Sequence, residues 1–487
     1  MFHRHDRRAF APAIQGKVFR MMLRKVFGLL MTAGAAAATL TAFEVTPRIY
    51  PADTEATITF RPVTEWEKKN FRSLKVEYIS GGKSHSDGSG PWTDNQKLKP
   101  VVDDNGITVT IMLRGEQRHS FLFWAPPQKP ADPKKKPARP QPKIEQVMTL
   151  KPDLFALRPF RGNIHQHSKI SDGRWEPEEH IVHARRVGFD FVSVTDHGKY
   201  EQNARAIAAG TESGSGLEVY PGEELHNRGA VLHAVCLGAP KRMSLTGASK
   251  DDLAEMAKGS AKVAEEIRKE FPQASKEDIR FAAEATFLAR RAKSFGATVI
   301  YAHPFWFTKG RLQSPEFMTR YILTHNDFDA VEICNDGLAT SYNPPIAALL
   351  YELAYTSGRR WPVSSASDIH NVAGDGYKRN FNVIFAKDCT LASFRDALVN
   401  YRSTAGYLTR GAKGDGPVYY FGPLRFIDYS QFLHDCGYWK NHLKICQRQS
   451  ELLAKFVAGD KSVVPEIRKC AGEIDALRES LFFRPAK

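Results

Sequence analysis

The residues of this sequence that could do chemistry are histidines and carboxylates that end or follow short apolar runs in the middle of the chain. They are His165, His167, Asp172, Asp196, His197, Glu223, Glu224, His233, His303, Asp368 and His370. Each of them alone could be an ordinary core or turn residue. Imidazole and carboxylate groups brought together suit Zn, Mn or Fe ions. Their repeated placement after successive apolar runs therefore predicts a metal centre.

Two spacings support this prediction. In His165-Gln-His167 and in Asp368-Ile-His370 the two side chains are two residues apart, which places them on the same side of an extended strand. Each pair would therefore supply two neighbouring ligands. A glutamate among several histidines, such as Glu224, can bridge two ions through its two oxygens.

The apolar runs that must position these residues have the lengths of strands and alternate with helical stretches. The runs cover residues 162–165, 189–195, 217–221, 231–237, 297–301, 330–334 and 361–365. Helices are predicted between them, for example at Glu178–Val187 before Gly188 and at Lys276–Phe295 before Gly296. This alternation predicts a mainly parallel α/β sheet, open or closed into a barrel. The carboxyl ends of such strands converge on one face, so residues distant in sequence meet there.

With these motifs in place, the sequence resembles the PHP (polymerase and histidinol phosphatase) family of metal-dependent phosphoesterases over roughly residues 160–410. Asn163-Ile-His-Gln-His-Ser168, with Ser171-Asp-Gly173, is similar to that family's D-L-H-x-H-S-x-x-S-D-G motif. Asn163 stands where the family has aspartate, at a position that does not bind metal. The later motifs resemble, in order, the segments Thr195-Asp-His197, Pro221-Gly-Glu-Glu224, His233, Ala302-His-Pro304 and Ser367-Asp-Ile-His370.

The resemblance implies a distorted seven-stranded βα barrel that holds two or three divalent ions of Mn, Zn or Fe. Carried over motif by motif, the first ion would be bound by His165, His167, Glu224 and Asp368. The second would be bound by Glu224, His233 and His303, and the third by Asp172, His197 and His370. The family's G-x-E spacing favours Glu224 over Glu223 as the ligand.

The implied chemistry is hydrolysis of a small anionic or ester substrate by a hydroxide held between two ions. Asp368 is expected to orient the nucleophile, and His197 or His370 to protonate the leaving group. Four basic residues lie just beyond the ligand motifs and are candidates for binding substrate oxygens, with a solvated surface role as the alternative. They are Lys199, Arg228, Lys378 and Arg379.

The remaining parts of the chain predict further domains around a PHP-like domain at residues 151–415. Alternating runs within residues 43–125, such as Ala56–Phe60 and Ile107–Leu113, predict a small β-sandwich. Residues 126–150 begin with a stretch rich in proline and lysine and are expected to be a linker or an exposed basic loop. Residues 416–487 predict a helical extension, with two helices forming a hairpin around Gly459-Asp460.

Residues 1–42 have the pattern of a signal peptide. A basic region precedes an apolar, alanine-rich run that offers cleavage points after Ala38 or Ala42. The alternative is an uncleaved anchor, although the run is short for a spanning helix. We therefore expect a periplasmic or secreted protein without a stable membrane span after cleavage. In such a compartment, a disulfide between two of Cys436, Cys446 and Cys470 is plausible.

The net charge gives little support to a nucleic acid partner. The formal charge is +15 at pH 7 for the whole chain, and residues 1–42, with seven basic residues and one aspartate, account for +6 of it, which leaves +9. Much of the rest lies in residues 126–143, so the folded domains have little basic excess.

The leading hypothesis is an exported phosphoesterase acting on a small phosphomonoester or phosphodiester. The alternative keeps the metal centre but changes the scissile bond, since some exported PHP-like proteins resemble carbaryl-type hydrolases of carboxyl and carbamate esters. A non-catalytic metal-binding module is disfavoured by the nearly complete ligand set. A nuclease is disfavoured by the predicted export.

Overall fold

The computed structural model describes most of the chain downstream of the predicted signal peptide. The described residues are 43–80, 96–126, 141–227, 229–245, 248–308, 310–335, 350, 352–353, 355–356, 358–370, 375–411 and 414–484. The predicted signal peptide and the proline-rich residues 127–140 lie outside these ranges. No helix among the described residues has both the length and the apolar character needed to cross a bilayer.

The N-terminal part forms two four-stranded sheets that share one apolar core. Alternate side chains from both sheets, such as those of Phe60 and Phe121, are buried between them, because side chains alternate between the two faces of a strand. The sheets have the orders β1-β3-β6-β5 and β2-β8-β7-β4. The elements are β1 (Phe43–Glu44), β2 (Ile49–Pro51), β3 (Thr54–Pro62), α1 (Glu65–Asn70), β4 (Lys75–Ser80), β5 (Val101–Asp103), β6 (Gly106–Leu113), β7 (Arg118–Trp124) and β8 (Lys143–Leu150).

The rest of the chain is built on a ten-stranded mixed sheet with the order β17-β16-β13-β12-β11-β10-β9-β18-β19-β20. Its first seven members each overlap one of the seven predicted apolar runs, and they neighbour one another in chain order. The strands are β9 (Arg158–Asn163), β10 (Phe191–Val194), β11 (Glu218–His226), β12 (His233–Leu237), β13 (Thr298–Tyr301), β16 (Ala330–Asn335), β17 (Val363–Ala366), β18 (Asn380–Ala386), β19 (Ser403–Gly411) and β20 (Gly414–Phe421), with a short hairpin of β14 (Phe307–Thr308) and β15 (Arg311–Leu312).

The sheet is less regular than a purely parallel one. Strands β9, β10 and β11 pair in parallel, as do β13, β16 and β17. Strand β12 is antiparallel to both of its neighbours, and β18, β19 and β20 are antiparallel as well. Because β12 is reversed, its first residue, His233, lies at the same edge as the last residues of the parallel strands.

Helices and short connections cover the sheet. The two long helices at Lys250–Glu270 and Lys276–Ser294 are each preceded by a serine, Ser249 or Ser275, whose side chain accepts a hydrogen bond from the backbone N–H three residues later. This bond satisfies one of the free N–H groups of the first turn. The helices that the structure describes over their full length in this part are α2 (Pro152–Phe155), α3 (Glu179–Arg186), α4 (Gln202–Ser213), α5 (Lys250–Glu270), α6 (Lys276–Ser294), α7 (Glu316–Thr324), α8 (Leu391–Val399), α9 (Leu424–Asp435), α10 (Tyr438–Val457) and α11 (Val464–Ser480).

The two distant segments that follow β9 and β17 are joined by backbone hydrogen bonds. The N–H of Asp368 donates to the carbonyl of His165 at 2.9 Å, and the N–H of His167 donates to the carbonyl of Ile369 at 3.0 Å. In addition, Asn382 on β18 exchanges two hydrogen bonds with the backbone of Ser365 on β17. The sheet therefore curves until its β17 edge lies against β9 and β18.

Asp190, just before β10, ties the C-terminal helices to the sheet. One carboxylate oxygen accepts hydrogen bonds from Arg185 on α3, His442 on α10 and Arg478 on α11, at 3.3, 3.0 and 3.1 Å. The other accepts from the backbone N–H of Arg161 on β9 at 3.1 Å. The cluster is buried, and so one carboxylate connects two strands and three helices.

Four details of the structure differ from the prediction. The segment 143–150, assigned to the linker, is strand β8, because the proline-rich composition stops before it and Val147 and Leu150 are buried against the N-terminal core. The C-terminal extension has three helices instead of two, since Gly437, with φ of 79°, separates α9 from α10. The boundary at residue 416 falls inside strand β20. The six cysteines are all free, so the plausible disulfide among Cys436, Cys446 and Cys470 is not formed.

Candidate metal centre

All nine predicted metal ligands lie at one edge of the ten-stranded sheet, each within 4 Å of at least one other. The most deeply buried group consists of His165, His167, Glu224 and Asp368, whose candidate ligand atoms lie within 4.8 Å of one another. This is the set that the sequence resemblance implied for the first ion. The four residues come from the segments after β9 and β17 and from β11, which neighbour one another only in the folded sheet.

Glu224 occupies the centre of the site, and its two oxygens face different histidines. Oε1 lies 2.6 Å from Nδ1 of His233 and 3.1 Å from Nε2 of His303. Oε2 lies 2.7 Å from Nδ1 of His197, 3.3 Å from Nε2 of His165 and 3.4 Å from Nε2 of His167. Glu224 is therefore placed as a bridging carboxylate between two groups of imidazoles.

Glu223, the alternative to Glu224, points away from these histidines. Its Oε1 accepts hydrogen bonds from the backbone N–H groups of Met243 and Ser244. Burial raises the pKa of Glu223 to about 7 against the opposing effect of these hydrogen bonds. The preference for Glu224 agrees with the period of two in a strand, which allows only one of two consecutive residues to face the site.

A second group lies at the open side of the site. It contains His167, Asp172, His197 and His370. The side chain of Asp172 is 55% exposed and that of His370 is 34% exposed, whereas Glu224 is fully buried. Asp172 lies 3.4 Å from Nε2 of His370 and 3.5 Å from Nε2 of His197. Solvent and substrate can therefore reach the site from the Asp172 side.

The charges of the site keep its central carboxylates ionised. Burial favours the neutral form of Glu224, but His197, His233 and His165 outweigh it and hold the pKa of Glu224 well below its usual range. Burial acts in the same way on Asp172, and contacts with His370 and His197 nevertheless lower its pKa to about 2. Ionised carboxylates are the form that binds metal.

The buried atoms of the first group fit a bound cation. Nε2 of His165, Nδ1 of His167 and Oε2 of Glu224 are buried and have no hydrogen-bond partner of good geometry among the described residues. Buried polar atoms are normally hydrogen-bonded. Nε2 of His165 and Oε2 of Glu224 lie 3.3 Å apart, and an imidazole nitrogen beside a carboxylate oxygen matches the donor set of Zn, Mn or Fe, so one divalent ion would satisfy both. Nδ1 of His167 lies on the side of Asp172, 3.9 Å from its Oδ1.

The backbone is strained at two of the predicted ligands. His303 and Asp368 have φ of 24° and 48°, in a region that residues other than glycine rarely adopt. Such strain persists only where the surrounding structure holds it, and it is frequent at functional sites. In this conformation the side chain of His303 lies 3.1 Å from Glu224, and that of Asp368 lies 3.3 Å from His165.

Two residues of the site were missed in the sequence. His226 lies on β11 with its Nε2 3.0 Å from Nδ1 of His197, and it joins His197, Glu224 and His233 in a third group. Glu332 lies on β16, 3.1 Å from Nδ1 of His165. His226 could have been found because it is two residues after Glu224 on one strand. Glu332 could have been found as the only charged residue in the apolar run 330–334.

The predicted substrate-binding residues are placed differently from one another. Lys199 is about half exposed and follows His197 closely in the chain. Arg228 lies outside the described residues. Lys378 pairs with Asp415 at 2.9 Å. Arg379 is buried, and its guanidinium donates to the carbonyls of Leu408 and Thr409, contacts typical of an arginine that holds the sheet together.

No protein-family description matches the chain by sequence, and no curated protein matches it either. Among solved structures, a two-domain protein from Bacteroides vulgatus containing a predicted PHP-like metal-dependent phosphoesterase aligns at 20% identity with a TM-score of 0.36, over 52% of this chain and 66% of its own. A proposed metal-dependent phosphoesterase from Bifidobacterium adolescentis aligns at 18% identity with a TM-score of 0.29, over 44% of this chain and 88% of its own.

A lesion-specific endonuclease from Pyrococcus furiosus aligns at 12% identity with a TM-score of 0.29, over 66% of this chain and 91% of its own. The structural neighbours thus include PHP-like metal-dependent phosphoesterases, the group that the sequence motifs resemble. The likeness to carbaryl-type hydrolases stays a prediction. At these TM-scores the alignments assign neither activity nor substrate to this chain.

Proposed function

We propose that this protein is a metal-dependent hydrolase of phosphate esters, built on a PHP-like barrel with an N-terminal β-sandwich. The observation that carries the proposal is the position of Glu224, whose two oxygens face separate histidine groups in a buried site with an open side. A carboxylate in this arrangement is suited to hold two divalent ions close together. A non-catalytic metal-binding module would have no need of an open, polar edge beside the buried ligands.

Different side chains of the site would hold each of the two ions. His165, His167 and Asp368 would hold one ion on the Oε2 side of Glu224, and His233 and His303 would hold another on the Oε1 side. When bound, divalent ions supply Lewis acidity and a nucleophilic water at neutral pH. The carboxylate of Asp368, 2.9 Å from Nε2 of His167, would orient the attacking group.

The open side of the site determines where the substrate must lie. Asp172, His197 and His370 are the ligand residues that solvent reaches, so the leaving group would depart past them. His197 and His370 are the groups placed there to give it a proton. Lys199, half exposed and two residues after His197 in the chain, is our candidate among the described basic residues to bind a substrate oxygen.

The test uses purified full-length protein with its metal removed by a chelator and then restored with Mn²⁺, Zn²⁺ or Fe²⁺. An aryl phosphomonoester, an aryl phosphodiester, an aryl carboxyl ester and an aryl carbamate are offered in parallel. We expect cleavage of a phosphate ester that is lost with the metal and recovered on its return. Cleavage of the carboxyl ester or carbamate alone would refute the phosphoesterase proposal and favour the alternative.

The Glu224→Gln variant tests the bridging role directly. Glutamine keeps the size of the side chain but offers one neutral acceptor, so we expect both metal binding and turnover to be lost. Glu223→Gln is the matched control, since its carboxylate is the adjacent one in the chain and contacts backbone N–H groups instead of histidines. Turnover that persists in Glu224→Gln would refute the mechanism.

We also propose that residues 1–42 act as a signal peptide that directs export of the chain. Support comes from the order of basic region, apolar run and small residues in the sequence. Fractionation of cells that express the full chain should recover a shortened protein in the periplasm or medium. Retention of full-length protein in the cytoplasm would refute export.

A further inference from the structure

Glu332 is a buried carboxylate in the middle of strand β16 and is 2% exposed. Its Oε1 lies 3.1 Å from Nδ1 of His165. Its Oε2 accepts hydrogen bonds from the backbone N–H of His303 at 3.0 Å and from Nδ2 of Asn335 at 2.8 Å. No lysine or arginine pairs with it within the part of the chain that the structure describes. A charge buried in this way requires a specific reason, because its desolvation is costly.

The contact with His165 sets which nitrogen of that imidazole carries a proton. The other oxygen of Glu332 accepts from two N–H groups, so the carboxyl group is placed as an acceptor, and Nδ1 of a neutral His165 donates to Oε1. The lone pair then lies on Nε2, which is 3.3 Å from both Oε2 of Glu224 and Oδ1 of Asp368. Hydrogen bonds of this kind fix the orientation and increase the basicity of an imidazole that binds metal.

The contact with His303 acts on the backbone instead of the ring. His303 has the strained φ of 24°, and the hydrogen bond from its N–H to Glu332 holds the chain in that conformation. In this position Nε2 of His303 lies 3.1 Å from Oε1 of Glu224. Glu332 therefore holds one histidine on each side of the bridging carboxylate.

We propose that Glu332 is a positioning residue for both metal sites, acting through the ring of His165 and the backbone of His303 without touching an ion. The inference rests on the proposed function. It concerns the metal affinity of the site and is independent of which bond is cleaved.

The Glu332→Gln variant is informative because one amide cannot accept hydrogen bonds both from His165 and from the N–H groups of His303 and Asn335. If its oxygen accepts from His303 and Asn335, its NH₂ group faces His165 and forces the proton to Nε2, the nitrogen that should bind metal. The reverse orientation places the NH₂ group against two donors. The first arrangement leaves fewer unsatisfied groups, so the variant should keep its fold and lose affinity for the ion at His165.

The experiment measures Zn²⁺ and Mn²⁺ affinity of the full chain by competition with a chromogenic chelator. We expect Glu332→Gln to bind roughly 10- to 100-fold more weakly than the wild type, the loss typical when such a partner is removed. Glu223→Gln, an equally buried carboxylate without a histidine contact, should bind as the wild type does. Urea unfolding of the metal-free proteins shows that both variants are folded.

A double-mutant cycle separates positioning from a general structural effect. If Glu332 acts largely through His165, the Glu332→Gln change should weaken metal binding much less in a His165→Ala background than in the wild type. Should Glu332→Gln fail to fold, Glu332→Asp, which keeps the charge but shortens its reach, must still bind metal more weakly than the wild type.

The outcomes distinguish this inference from the proposed function. Wild-type affinity in Glu332→Gln would overturn the positioning role and leave the hydrolase proposal standing. A wild-type protein that binds metal through Glu332-dependent sites but hydrolyses nothing would support the positioning role and refute the hydrolase. Wild-type protein that binds no metal would overturn both.

Discussion

Replacement of Asp190 with asparagine should weaken the attachment of the C-terminal helices to the sheet at a buried ionic contact. The carboxylate is buried and accepts hydrogen bonds from Arg185, His442 and Arg478. Asparagine has nearly the same shape, but it brings no charge and its NH₂ group would face donors. The substitution therefore leaves two buried guanidinium groups without their shared anion.

The expected loss in the free energy of unfolding depends on the hydrogen bonds that Arg185 and Arg478 retain in the variant. Removal of one partner from a buried ion pair costs about 3–5 kcal/mol. Arg185 retains hydrogen bonds to the carbonyls of Phe189 and Ser215 at 2.9 and 2.8 Å, and Arg478 retains Asp475 at 2.6 Å. We therefore expect the lower end of this range, a loss of about 3 kcal/mol in the free energy of unfolding.

Urea unfolding of the metal-free protein at pH 7 is the assay. Asp475→Asn is the matched control, because it removes a partner of the same Arg478 from a side chain that is 71% exposed, and an exposed pair contributes at most about 1 kcal/mol. Equal stability of the two variants would refute the reasoning, since it would mean that Asp190 contributes no more than a surface charge.

Two further predictions concern pH and loop geometry. Burial opposes protonation of His442, but the neighbouring Cys446 and Asp190 raise its pKa to about 9. Its contribution to the free energy of unfolding, up to about 3 kcal/mol, should therefore be complete below pH 6.5 and be lost as the pH rises through 9. Urea unfolding at pH 6.5 and 9.5 will measure this loss, and the His442→Gln control should lack it. Gly173→Ala would place a Cβ 2.1 Å from the carbonyl oxygen of His167, so the backbone of His167 or of the neighbouring Asp172 must move. Both residues belong to the open-side group, so metal titration should show weaker binding than in the wild type. Unchanged binding would contradict the proposed role of that group.

The parts of the fold that the sequence predicted are those set by local pattern. Each of the seven apolar runs overlaps a strand, although the first extends two residues beyond β9. The helices before Gly188 and Gly296 end as expected, because both glycines adopt the positive φ that stops a helix. The reversal of β12 has no local signature, since a buried strand has the same composition in either direction. Strand β8 was missed because its neighbours in the chain are rich in proline and lysine.

The candidate site was predictable to the extent that its residues follow strands in a known motif order. The grouping of His165, His167, Glu224 and Asp368 agrees with the structure, while their binding of metal stays a prediction. Glu332 stands out in the sequence as a charged residue within an apolar run, but its role could not be predicted there, because that role depends on its hydrogen bonds to His165 and His303. Arg379 was predicted to bind substrate because it lies close to a motif in the sequence. In the folded chain it is buried within the sheet.

The sharing of ligands between the three groups has a consequence for how the protein would load its ions. Glu224 belongs to two of the groups, as do His167 and His197, and each imidazole nitrogen can serve one ion at a time. The first ion to bind would fix Glu224 and so prepare the opposite oxygen for the second, while it would compete with a third for His167 or His197. Occupancy should therefore rise cooperatively to two ions and resist the next, giving a stepped titration instead of three independent equilibria.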